Sequence, residues 1–95
     1  MGAGVPVDNT EAVKWFKEAA RLSLPEAELF LAHKYECGEG VPEDDVMAYA
    51  YYSRAAARGN KFALSQKDHI ARLMTPDQVA QAQALYSDRD QLLAA

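Results

Sequence analysis

His33 and Cys37 stand four residues apart in the stretch AELFLAHKYEC, the spacing at which two side chains on one helix point the same way. An imidazole and a thiol so placed can share a metal ion, or the imidazole can take the thiol proton and leave a nucleophile. Zinc asks for three or four ligands. Only His69, one unit further on, could join, with Glu36 or Asp68 as a carboxylate. No oxyanion donor and no group to orient the imidazole is evident, so neither a metal nor a catalytic residue is expected.

The loop that follows, CGEGVPEDD, raises a second chemistry. A phosphate cradle needs free backbone N–H groups and a helix start kept clear for the anion. Pro42 removes one N–H, and Glu39, Glu43, Asp44 and Asp45 repel phosphate. A calcium loop needs oxygens at alternate positions with a distant glutamate, and that spacing is missing. A tight turn explains the residues better. Gly38 and Gly40 supply positive φ, and the acids sit against the dipole of the next helix.

The elements that carry these residues are helices. Of the 95 residues, 49% are hydrophobic and 25% charged, the profile of one ordinary globular domain. Abundant alanine with few β-branched residues favours close-packed helices over sheets. Fourteen acids against ten bases leave a net charge of −4, the wrong sign for a nucleic-acid partner. The single cysteine forms no internal disulfide. There is no apolar run long enough to insert in a membrane, and MGAGVPVDN does not read as a signal peptide.

The glycine loop has a copy 36 residues upstream: GAGVPVD at 2–8 against GEGVPED at 38–44. Extended from Gly2/Gly38 to Ala27/Ala63, the offset gives nine identities in 26 positions, where about two arise by chance. Trp15 and Phe16 match Tyr51 and Tyr52. A period of this length signals a helical repeat array. Ala12, Trp15, Phe16, Ala19 and Ala20 form one amphipathic stripe, and Ala48, Tyr51, Tyr52, Ala55 and Ala56 form its copy. Between them a helix over 25–37 carries the core stripe Ala27, Leu31 and Tyr35. Ser23 and Glu26 are expected to cap it, as Asp8 and Glu11 cap the helix before. A helix over 61–74 follows. Thr75, Pro76 and Gln78 open the last one, which carries Val79, Ala82 and Tyr86 on one face and is expected to fray after Ser87.

The pattern A-x-x-x-L-A-x-x-Y-x-x-G-x-G-V-P-x-D from Ala27 to Asp44, followed by Ala48, Tyr51, Ala55, Ala56 and Gly59, resembles the Sel1-like repeat, a relative of the tetratricopeptide repeat. The resemblance implies an all-α superhelix of about five helices in a single domain. Residues 2–22 would be the second half of a truncated repeat, 23–58 a full repeat, 59–74 a degenerate capping repeat and 75–95 a capping helix. Ala32 stands where the family has glycine, and Ser23 replaces the glycine that Gly59 keeps. The tail MTPDQVAQAQAL is similar to segments that close such arrays in bacterial proteins, whose compartment is either the cytoplasm or the periplasm.

The resemblance also implies a non-catalytic scaffold for a protein or peptide partner. In such superhelices the first helix of each pair lines the concave side. Leu29, Phe30, His33 and Cys37, flanked by Lys34 and, one unit on, by Gln66 and His69, then form the candidate partner surface. The alternative is a structural role, as the end of a larger array or a support for a neighbouring domain. The helix that should precede Gly2 is missing, so Val13 or Trp15 is expected to be partly uncovered and open to self-association.

Overall fold

Each helix start follows from a side chain that can accept a hydrogen bond from an orphan N–H. In the computed structural model, which describes residues 8–94, Asp8 accepts from the Glu11 N–H at 3.1 Å and opens α1 (Asn9–Arg21). Asp44 accepts from Val46 and Met47 at 3.0 and 3.2 Å and opens α3 (Asp45–Ala57). Asn60 accepts from Ala63 at 2.8 Å ahead of α4 (Lys61–Ala71). At α5 (Pro76–Ser87) the reciprocal Thr75–Gln78 box is complete.

The exception is α2 (Pro25–Cys37). Its N-cap is Leu24, which makes no side-chain cap, so the expected Ser23–Glu26 box does not form. Ser23 has another task. Its φ of 65° ends α1 in a left-handed residue, with Ser23 N–H donating to Ala20 O and Leu24 N–H to Ala19 O. Thirty-six residues on, Gly59 at φ 97° ends α3 with the same two bonds, Gly59 to Ala56 and Asn60 to Ala55. The turn is a repeat in hydrogen bonding as well as in sequence.

The GEGVPED loop is a joint, as expected. Gly38 and Gly40 have φ of 71° and 79°, and the Asp44 N–H donates back to Tyr35 O at 2.9 Å. A Cβ on Gly40 would collide with the Asn9 carbonyl, so glycine there lets the loop lie against the start of α1. The upstream copy of this turn, residues 2–7, lies outside the described residues.

Helix α3 is the hub, packing against α2, α4 and α5. Residues 47–53 and Ala55 are all buried, so its apolar surface runs most of the way round rather than along one stripe. Tyr35 of α2 stacks on Tyr51, with ring centroids 5.9 Å apart. Helix α1 packs on α2. It turns Val13 and Ala20 inward, and of the two residues expected to be partly uncovered, Val13 or Trp15, it is Trp15 that lies open, at 69% exposed.

The tail does not fray at Ser87. Asp88 accepts from the Gln91 N–H and a sixth helix follows, α6 (Arg89–Ala94), with Leu92 and Leu93 buried. It packs against α5 and reaches back to α1, while Tyr51 donates from its hydroxyl to Leu92 O and Arg89 donates to Ser23 Oγ. All the described secondary structure is helical, the tetratricopeptide-like architecture expected, with six helices rather than about five.

These turns predict three unequal stability changes, readable by thermal denaturation. Ser23→Gly should stabilise by about 0.5–1 kcal/mol, because glycine accepts positive φ freely. Gly59→Ala, with open space at its Cβ, should cost about 1 kcal/mol. Gly40→Ala adds a backbone collision and should cost more than about 2 kcal/mol.

Candidate partner-binding surface

Because Ala27, Leu31, Ala32 and Tyr35 turn toward the core, the opposite side of α2 is left as a ridge between α1 and α4. Phe30 lies on its α1 side, stacked on Phe16 at 4.8 Å and 10° between planes, and still 49% exposed. Leu29 is half-buried and lines a small cleft with Pro25, Glu26, Ala55, Arg58 and Asn60. Lys34 is less free than a rim charge: its Nζ donates to Asn9 Oδ1 at 3.0 Å and lies 3.7 Å from Glu39, tying α2 to the start of α1.

His33 and Cys37 are exposed neighbours, with Sγ 3.7 Å from Nε2. The third ligating group beside them is Glu39, 3.9 Å from Nε2, and not His69, Glu36 or Asp68. Those three line a polar hollow of about 460 Å³ with Ser65, Gln66 and Arg72. Gln66 donates to Glu36 there, and Tyr52 donates to the same carboxylate at 2.7 Å. The sequence-derived surface thus divides into a thiol–imidazole end toward α1 and a polar end toward α4.

A His–Cys–Glu group could hold a soft divalent cation, although Lys34 beside Glu39 opposes a second positive charge. The surroundings of Cys37 disfavour the thiolate. Local desolvation first, then the Glu39 and Glu36 carboxylates, push the Cys37 pKa up, and Lys34 offsets this only in part. Burial likewise raises the pKa of the Tyr51 and Tyr52 hydroxyls, the latter also through its bond to Glu36, so both stay neutral donors.

Two features went unread in the sequence. Glu28 is 1% exposed, its carboxylate held by Arg54 Nε at 2.7 Å and by Arg58 Nε. Arg54 on α3 and Arg58 at its C-cap, four residues apart, are the signal that could have revealed it. The second is α4 with the turn that follows it, where Phe62 and Leu73 respectively are more than half exposed. At the 36-residue offset Phe62 matches Glu26, Gln66 matches Phe30, His69 matches His33 and Leu73 matches Cys37.

Helices stacked at this period, with the same left-handed turn ending α1 and α3, define a helical-repeat protein of the tetratricopeptide type. The Sel1 repeat model matches residues 1–24 and 25–60, and the chain belongs to that family. Sel1 repeats are protein-interaction modules. The chain is similar to a chitin synthase regulator, SKT5, of Saccharomyces cerevisiae, 34% identical over 59 residues. That match covers 62% of this chain and 8% of the yeast protein, so the chain spans only a small part of its relative. A yeast relative lends no support to the expectation of a bacterial source. No solved structure matches the chain. No helix among the described residues is long and apolar enough to cross a membrane.

With its pKa raised, the Cys37 thiol should alkylate more slowly at neutral pH than a free cysteine, with its reactivity midpoint above that of an unperturbed thiol. His33→Ala should leave the rate nearly unchanged. Faster alkylation than free cysteine, lost in His33→Ala, would instead establish an activated thiol–imidazole pair.

Proposed function

We propose that the chain binds a protein or peptide partner across the exposed faces of α2 and α4, with Leu29, Phe30, His33, Cys37, Gln66 and His69 among the contacts. Lys34 acts from the rim and as the tie to α1. The observation that carries this reading is a match of register. The two helices that begin successive units present equivalent faces, each with a histidine, His33 and His69, beside an exposed apolar side chain, Phe30 on one and Phe62 on the other.

Such a surface suits an extended or helical peptide. Phe30 is already immobilised by its stack on Phe16, so little side-chain entropy is lost when a partner covers it. The polar hollow around Glu36, Gln66 and His69 offers both donors and acceptors for a backbone at the other end. In superhelices of this kind the same face is the concave one, which favours a long contact over a pocket. The yeast relative, by its name a regulator of chitin synthase, is consistent with a scaffold that acts through another protein.

Selection of peptides from a display library against this chain tests the reading. Peptides that bind should lose about tenfold or more in affinity with His33→Ala or Phe62→Ala, the size of a single anchor contact. They should be indifferent to Trp15→Ser. Binding that survives both substitutions and is lost with Trp15→Ser would overturn it.

A further inference from the structure

Three side chains of different ligand chemistry meet at the C-terminal end of α2. Cys37 Sγ is 3.7 Å from His33 Nε2, and that nitrogen is 3.9 Å from Glu39 Oε1. The ligating atoms of all three fall within 4.8 Å of one another. With zinc bonds of about 2.3 Å to sulfur and about 2.1 Å to nitrogen or oxygen, tetrahedral ligand atoms stand about 3.4–3.6 Å apart. The group is thus within a few tenths of an ångström of that spacing on two sides. The third closes by rotation of the half-exposed Glu39 carboxylate. The backbone holds the set in advance. His33 and Cys37 are one helical turn apart, and Gly38, at φ 71°, turns the chain so that the Glu39 N–H donates to Lys34 O at 3.0 Å.

We propose that His33, Cys37 and Glu39 form a binding site for zinc or a cation of similar taste for sulfur and nitrogen, with a fourth position left to water. The field suits a cation. The carboxylates of Glu36, Glu39 and Glu43 act on Cys37 against one ammonium, Lys34, and the negative end of the α2 dipole lies here too. Lys34 donates to Asn9 Oδ1 at 3.0 Å and approaches only Oε1 of Glu39, so the other carboxylate oxygen is left for the ion. Binding sends the thiol proton to solvent and leaves a thiolate on the metal. The repeat framework does not account for the set. At the 36-residue offset His69, Leu73 and Thr75 stand in the places of His33, Cys37 and Glu39, so only this unit carries all three ligands. The site lies at one end of the α2–α4 face and binds its ion whether or not that face binds a peptide.

The test uses the reduced, untagged chain, stripped with chelator and titrated with cobalt(II), then zinc. Cobalt should bind one ion per monomer and give a sulfur-to-metal charge-transfer absorption that zinc removes and excess magnesium does not. Cys37→Ser should abolish that absorption. His33→Ala and Glu39→Gln should each weaken cobalt binding about tenfold or more, no less than the loss of an outer-shell partner. Circular dichroism should be the same in all three variants, because none of these side chains belongs to the core. Zinc should slow Cys37 alkylation severalfold in the parent and far less in His33→Ala, although the two alkylate alike without metal. A chain that gives no charge-transfer absorption would overturn the proposal. An absorption indifferent to both His33→Ala and Glu39→Gln would reduce it to an adventitious ion on a free thiol. One ion per two chains, with a dimer in light scattering, would place the metal between copies instead. Binding that survives Cys37→Ser and is lost with His69→Ala would move it to the polar hollow and equally overturn the proposal.

Discussion

A carboxylate deep in a helix interface is tolerated only if cations reach it, and Glu28 is nine-tenths or more buried between α2 and α3. Arg54 from the last turn of α3 and Arg58 from its C-cap meet its two oxygens. Arg54 also donates to the Tyr86 carbonyl at 3.0 Å and lies over the Tyr86 ring at 5.9 Å, so the same charge cluster catches the end of α5. The position of α5 then decides where α6 begins, and α6 brings Leu92 onto Tyr51 and Arg89 onto Ser23. One buried ion cluster thus sets the register of α2 on α3 and the return path of the tail.

That arrangement determines which surfaces stay open. With α2, α4 and α5 around it, α3 has almost no free side, and α6 reaches from α5 to α1. What remains exposed is the outer ridge of α2 with the matching face of α4, and the far side of α1. A repeat protein built in this way gains recognition by leaving equivalent faces in line, since each unit contributes a small increment of surface to a long contact. The proposed function follows from the faces left open around the α3 hub.

Much of the fold was legible because its signals are local. The Gly-x-Gly turn, the caps at Asp8, Asp44 and Thr75, and the Tyr51/Tyr52 stripe are each set by residues within one turn of one another. The misreadings came from competition between two uses of one residue, or from long range. Ser23 has the chemistry of an N-cap, yet the end of α1 claims it for a left-handed turn. Val13 stood with Trp15 as a residue expected to be partly uncovered, and packing buries it while Trp15 stays exposed. Glu28 looks like an ordinary surface acid until Arg54 and Arg58 arrive from 26 and 30 residues away. Of the candidate surface, the spacing of His33 and Cys37 was visible, but Glu39 joins them through a turn that helical periodicity does not describe.

The most direct test of this account is amide hydrogen exchange on Glu28→Gln beside the parent protein, with stability measured by denaturant. Removing the charge while keeping the shape leaves Arg54 and Arg58 unpaired at the α2–α3 interface. Global stability should fall by about 2–3 kcal/mol, at the low end for a buried pair because both arginines keep some solvent. Protection in α5 and α6 should be lost ahead of that in α2 and α3. Unchanged stability, or α5 and α6 amides that stay as protected as those of α3, would contradict the claim that this cluster holds the array together.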